Sequence, residues 1–584
     1  MKFGERIKSS FYGMKKSAER FPITIVTSII LTMFLIYYRE SGINLEQNIR
    51  DNLIKLNMII GMGIPLSLSI GLLMEAYDIK KINNKIIGYF IGLICLISYY
   101  HFGLRGFNYV SLSRYMGIII FLILSILYLN RIKVHNNYEK YTINIFNNFF
   151  ISVLYSLVLL FGIFIILFTI DNLFDIDINS KIYYYVFLII SLVFFIALFL
   201  SKYPEKEEKF SSYHYPKSLM VLLSYIVIPL ITIYTLILYI YFLKILITWS
   251  WPKGLVSHLV IWYSAVSIGV IFLISPIFEE NIFCKLFKIY FPKLNLPILL
   301  MMFISIGQRI EQYGITENRY YIVVFGIWIT AMMIYYSMKK SFRNIIIPVS
   351  LSFVVLISVV GPFNSFSVSK YSQNRRLENT LLKNNMISEN KIISNKDLNR
   401  EAKKEIINIM EYFNTKHSLE DIKVLDENFK LEHMEKVFGF KYEDYNDIQN
   451  HEYFYYTRDK SEEIDISGYD YLIDMEGYTG NRNININDIK ITYYGNKELL
   501  EIIDKNQDKI SIKLNDILLE KYNDFNTKGG PHKEIRSQNE MTYEAKNKNI
   551  KFKIVFDNIS VYVPKSGEQV TIETYDYKLF IINK

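Results

Sequence analysis

YYYVFLIISLVFFIALFL, Tyr183 to Leu200, runs for eighteen residues without a charged side chain. In a soluble domain apolar residues recur at the period of one buried face, every second residue in a strand and every third or fourth in a helix. An unbroken run of this length fits neither pattern. A bilayer core of about 30 Å takes about 20 residues of helix, so the stretch reads as a membrane span. A second run, FPITIVTSIILTMFLIYY at Phe21–Tyr38, has the same character. Reading outward from these two predicts eleven spans, near 21–38, 56–75, 86–101, 115–130, 147–170, 183–200, 219–247, 255–277, 294–310, 320–338 and 345–363. The third and ninth are short enough that ten or twelve remain open.

Composition agrees, and then breaks. Of 584 residues 51% are hydrophobic, 16% aromatic and 21% charged. After Phe363 the apolar runs shorten and Lys, Asn, Asp and Glu become frequent. Residues 1–363 carry 32 Lys+Arg against 18 Asp+Glu, and residues 364–584 carry 33 against 38. The overall +9 therefore describes neither part, and the basic excess belongs to membrane flanks rather than to a nucleic-acid partner. Cys95 and Cys284 both precede the polar part, which accordingly holds no disulfide, and no Cys/His cluster is spaced for zinc. The basic N-terminus before Phe21 is expected to lead into a retained signal anchor. The run is long for a cleaved peptide, and YYRESG offers no small-residue cleavage site.

Loop charge gives the expected sidedness. The N-terminal tail and the loops 76–85, 131–146, 201–218, 278–293 and 339–344 hold 22 Lys+Arg; the alternate loops 39–55, 102–114, 171–182, 248–254 and 311–319 hold 8. Cytoplasmic loops carry the positive excess. The N-terminus is thus expected in the cytoplasm and the C-terminal domain outside the cell membrane. On that topology LKILITWSWPKG, Leu243–Gly254, ends at the outer face. Trp249 and Trp251 suit the interface because the indole is apolar with one N–H that wants water. Lys244 lies five residues earlier. It is expected either to snorkel or to pair with Glu311 or Glu317.

Three segments, LKILITWSWPKG, QRIEQYGITENRYY (Gln308–Tyr321) and GPFNSFSVSKYSQNRRLE (Gly361–Glu378), resemble the bacterial multi-pass membrane proteins grouped as domain of unknown function 4153. The resemblance implies an integral protein of a bacterial envelope. It carries no established activity, so no catalytic residue follows from it. Loop charge, read independently, brings all three segments to the outer surface. The candidate outer-face site there is Lys244, Trp249, Trp251, His258, Arg309, Glu311, Glu317 and Arg319, with Asn364–Arg376 leaving the last span on the same side. An interfacial belt that merely holds helix ends is the plainer reading of the same residues.

Other chemistry is thinner. Asp171, Asp175 and Asp177 crowd the loop DNLFDIDINS, as a hard cation would want and as any solvated acidic loop would also have. Glu40, Glu46 and Asp51 are scattered, unlike a paired acidic site. GMGIPLSLSIG, Gly61–Gly71, could break the second span in the manner of transporter helices. No cofactor, metal site or catalytic group is indicated.

The organisation expected is a basic tail (1–20), a transmembrane helical domain (21–363), a helical connector (364–440) and a β-rich extracytoplasmic domain (441–584). In the last, EYFYYT, IDISGYDYLIDM, DIKITYYG, KISIKL, IKFKIVF, ISVYV, VTIETYDY and LFIIN read as eight short strands of an antiparallel sandwich or open barrel. The fold class is an α-helical polytopic bundle followed by an α+β soluble domain. The function expected is transporter-like, flippase-like or receptor-like, with the lipid bilayer and lipid-linked or cell-envelope material as partners. The alternatives are a membrane-embedded enzyme on a lipid-linked substrate, which the lack of an acidic pair disfavours, and an anchored scaffold, for which one span would suffice.

Overall fold

The computed structural model describes residues 15–41, 45–104, 106–134, 136–174, 178–206, 208, 210, 215–248, 255–339, 342–388, 391–442, 451–475, 481–526, 533–546, 550–564 and 570–583. The chain divides into two units. The first is Met1–Ile392 with Asn408–Phe429, and the second is Ile393–Ile407 with Lys430–Lys584.

All eleven apolar segments of the first unit are helices: α1 Pro22–Ser41, α2 Gln47–Ala76, α3 Ile82–Phe102, α4 Tyr109–Arg131, α5 Tyr138–Phe174, α6 Ser180–Ser201, α7 Lys217–Thr248, α8 Leu255–Ile274, α9 Ile282–Tyr313, α10 Glu317–Met338 and α11 Ile346–Val359. Ten are long and apolar enough to cross a membrane, because a helix is the form in which an isolated segment satisfies its own backbone in hydrocarbon. The two spans expected to be marginal are not. The third has 21 residues and the ninth 32, whereas the last, α11, has only 14. Helix α5, of 37 residues, is about 55 Å long at 1.5 Å per residue. Parts of the expected loops 131–146 and 278–293 are therefore helix, since charged residues at a helix end do not stop the helix. The break that GMGIPLSLSIG could have made in the second span is not there, and α2 runs through Pro65 without interruption.

Polar groups hold the bundle where apolar contact alone cannot distinguish helix from lipid. Ser67 donates to Thr24 at 3.0 Å, Ser69 meets Ser125 at 2.8 Å, and Asn295 donates to Ser264 at 2.9 Å. Helix α6 contains a π-helical turn at Ile189–Phe194, and the Leu192 carbonyl inside it accepts from Ser28 of α1. Arg20 forks onto both oxygens of Glu75 at 2.7 Å each. Helices α4 and α11 approach so closely at Gly117 that a Cβ there would stand 2.5 Å from Val359.

Beyond α11, Asn364 caps α12 (Ser365–Lys383) by accepting from the Ser367 amide, and α13 follows at Arg400–Lys416.

Among its described residues the second unit has ten strands: β1 His451–Arg458, β2 Tyr471–Asp474, β3 Arg482–Ile486, β4 Ile489–Tyr494, β5 Leu499–Ile503, β6 Lys509–Lys513, β7 Lys533–Arg536, β8 Thr542–Lys546, β9 Ile550–Pro564 and β10 Thr571–Asn583. One sheet has the order β2-β10-β9-β1-β7, with β8 also on β9. The other is the meander β3-β4-β5-β6. Both contribute to one core with the helix Leu514–Asn526, through Phe552, Ile554, Leu500, Ile502 and Leu518. Three features depart from the expected short antiparallel strands. IKFKIVF and ISVYV belong to one strand, β9, of 15 residues, and TIETYDY and LFIIN to another, β10, of 13. The pair β1/β7 is parallel, and a helix stands among the strands. The polar pair Asp557-Asn558, which reads as a turn, is a bulge: Phe556 faces Tyr577 and Asn558 faces Asp576, so Asp557 has no partner across the ladder.

Candidate functional site

The turn Tyr313–Thr316 between α9 and α10 gathers most of the polar groups. Helix α9 ends because Gly314 adopts φ +69, a left-handed conformation that glycine takes without strain, and its N–H closes on the Ile310 carbonyl at 2.8 Å. A Cβ on Gly314 would lie 2.9 Å from Gln373 Nε2, so the turn is pressed against α12. Gln373 donates to the carbonyls of Tyr313 and Ile315 at 3.1 and 3.0 Å, and the Ile315 amide donates to Ser372 Oγ at 2.8 Å.

Two guanidinium groups close on the same place. Arg319 Nη1 donates to the carbonyls of Tyr313 and Gly314 at 3.2 and 2.8 Å, and Arg376 Nη1 reaches the Tyr313 carbonyl at 3.2 Å. Both lie over the Tyr313 ring, at 5.5 and 5.9 Å. Cations belong at the negative end of a helix dipole, which accounts for the first of them. A third guanidinium, that of half-buried Arg309, stands near enough for Arg309 and Arg376 together to repel Arg319. Further along α12 a polar cavity of about 360 Å³ is lined by Tyr371, Asn374, Arg375, Glu378 and Lys423.

Glu317, the first residue of α10, has a separate environment. Its Oε1 accepts from the Tyr412 hydroxyl and from His417 Nε2, each at 2.7 Å, and those two donors are 2.9 Å apart. The carboxylate and imidazole side chains are 3% and 1% exposed, so the group is closed to water. Burial, and next the charge of Glu317, push the Tyr412 phenol well above its ordinary value, which keeps it a neutral donor. The first turn of α10 also favours an anion.

The expected site residues thus fall into different surroundings. Glu317 and Arg319 lie on the first turn of α10, and Arg309, half-buried near the end of α9, contributes charge to the surroundings of Arg319. Glu311 and Lys244 are exposed, and among the described residues neither forms an ion pair with the other. His258 is exposed on α8. Trp249 and Trp251, with Asp175 and Asp177, lie outside the described residues. Sequence reading missed Tyr412, His417 and Gln373. The one signal pointing to the first two was Glu317 itself, an acid at the head of a membrane helix that needs a partner.

A family model described as Domain of unknown function (DUF4153) matches residues 26–395. An uncharacterized protein of Pasteurella multocida (strain Pm70) is 23% identical over 349 residues, which is 58% of this chain and 55% of that relative. The chain therefore aligns with little more than half the length of that relative. No solved structure matches the chain.

Proposed function

The chain belongs to the DUF4153 family of multi-pass membrane proteins, and from that premise we propose that it binds anionic, phosphate-bearing lipid-linked envelope material at its outer face, as a flippase-like or receptor-like protein. The observation that supports this reading is the convergence of Arg319 and Arg376 on one turn, with Arg309 on the last turns of α9 adding its charge to the surroundings of Arg319. Like charges held together cost free energy, and a phosphate that accepts from several guanidinium groups at once returns it. Arg319 and Arg376 also fix the turn, whereas Arg309 makes no hydrogen bond or ion pair among the described residues and is the group to test. The outer placement rests on the loop-charge bias.

The test uses the full chain in detergent, with thermal stabilisation titrated by phosphatidylglycerol, phosphatidylcholine and inorganic phosphate. Phosphatidylglycerol is expected to stabilise most. Arg309→Gln should weaken its apparent affinity about tenfold, as the loss of one charge-assisted hydrogen bond of roughly 1.5 kcal/mol would. Lys339→Gln, at the opposite end of α10, should leave it unchanged. Equal stabilisation by phosphatidylcholine, or indifference to Arg309→Gln, rules out the anion site.

Sidedness has its own measurement. In a chain lacking Cys95 and Cys284, a cysteine at Asn506 should react with an impermeant maleimide in intact cells, and one at Glu280 only after the membrane is opened. The reverse pattern would invert the topology.

A further inference from the structure

Between α7 and α9 lies a cavity of about 470 Å³ whose walls include Thr232, Leu236 and Tyr239 on one side and Leu286, Phe287 and Tyr290 on the other. Phe287 and Phe291 stack at 4.4 Å to form one wall. Three of the hydroxyls in it are already committed. Thr232 donates to the Ile228 carbonyl at 2.8 Å, and Thr235 donates to the Ile231 carbonyl at 2.7 Å and meets Tyr263. Tyr239 donates to the Leu294 carbonyl at 2.7 Å. With Tyr290 the one further hydroxyl in the lining, what the cavity offers an occupant is mostly hydrocarbon, and a ligand with several polar groups would leave most of them unpaired.

The surroundings identify the occupant. Leu230, Ile233 and Ile240 on α7 and Phe283 and Leu294 on α9 are exposed large apolar residues of membrane-crossing helices, so the medium at the cavity mouth is lipid. The lining runs from Ile228 to Tyr239 on one helix and from Phe283 to Leu294 on the other. Each stretch is about 16 Å at 1.5 Å per residue. A single leaflet contributes half of a core about 30 Å thick, so the groove matches the length of one chain in one leaflet.

We propose that this groove is a binding site for one acyl chain of a membrane phospholipid, held by packing against Phe287, Phe291 and Leu236. The chain is ordered there more strongly than in the surrounding lipid, because a concave wall supplies contacts on several sides where a convex helix supplies them on one. The inference needs the stretches 228–239 and 283–294 to lie within the hydrocarbon, with the Lys285, Lys288 and Lys293 ammonium groups of α9 reaching back to the headgroups, and it stands or falls separately from the arginine site.

The full chain in phosphatidylcholine nanodiscs containing a fraction of diazirine-bearing acyl chains tests it, with adducts mapped by mass spectrometry. The peptides covering 228–239 and 283–294 should carry at least about fivefold more adduct than the lipid-exposed face of α5 at Phe161 and Ile165, the preference that roughly 1 kcal/mol gives. Thr232→Trp and Leu236→Trp, made separately, should each lower groove labelling by a similar factor and leave the α5 labelling as it was. Labelling no denser in the groove than on α5 overturns the proposal through the unaltered protein alone. Labelling that both tryptophan variants leave intact overturns it equally.

Discussion

Glu317→Ala is expected to destabilise the helical unit by about 3–6 kcal/mol, since it removes two buried hydrogen bonds to a charged acceptor at roughly 1.5–3 kcal/mol each. The carboxylate is one of two side chains, with His417, that are almost fully removed from water, and it is the acceptor on which both His417 and Tyr412 converge. Its loss leaves two buried polar groups facing a void. His417→Ala should be comparably severe, because the carboxylate then keeps only the Tyr412 hydroxyl. Tyr412→Phe removes a single hydrogen bond to a charged acceptor and should cost about 1.5–3 kcal/mol. Glu317→Gln keeps an acceptor oxygen in place and should be the mildest change at that position. The decisive measurement is the cycle of Glu317→Ala, His417→Ala and their combination, read by thermal unfolding of the full chain in detergent. The combined loss should fall short of the sum, since each single change removes the same interaction. Strict additivity would mean that the two side chains are merely close.

The second large effect belongs to the β-rich unit. Asp557→Ala should cost about 3–5 kcal/mol, because it strands Arg458 in a buried position without its counter-ion. Arg458 donates to Asp557 Oδ1 from Nε and Nη2 at 2.9 Å each, and Lys578 pairs with Oδ2. The carboxylate is only 7% exposed. Burial alone would raise its pKa, but Lys578 and Arg458 together outweigh burial and hold it below the ordinary aspartate value. The sign of the pH dependence follows. A group whose pKa is lower folded than unfolded stabilises the fold fully above the unfolded value of about 3.9, and the contribution is lost as pH falls through the folded value. Hydrogen exchange of peptides from β9 and β10 should therefore accelerate as pH is lowered below about 4, after correction for intrinsic rates. Asp557→Asn should be unstable at neutral pH and show a flatter response over that acid range. An Asp557→Asn chain with the same acid response as the parent would assign the transition to other carboxylates.

These two buried polar clusters differ in how far the sequence announced them. Glu317 was singled out as an acid at membrane depth, while its partners lie about a hundred residues further on, among connector residues with no distinguishing spacing. Asp557 was read as part of a turn, because Asp-Asn between two apolar alternations is ordinarily a turn signal. In the fold it is the extra residue of a bulge, and the strand continues past it. The same blindness split β10 in two and missed the parallel pairing of β1 with β7.

What the sequence determined by itself is the membrane bundle, the change to a polar strand-bearing region after Phe363, and the family. A helix in hydrocarbon satisfies its backbone from its own neighbours, so each span is written within one window of about 20 residues and can be read there. The tertiary structure alone decided that the Lys244 side chain stands exposed while Glu317 is sealed by His417 and Tyr412, and that Arg319 and Arg376 converge on one turn, with Arg309 adding its charge to the surroundings of Arg319. It alone placed a groove between α7 and α9 and an inward aspartate at a bulge. Each of these depends on which side chains the packing of separate segments brings together, and on burial that converts an ordinary polar residue into one that must find its partner. No local window carries that information.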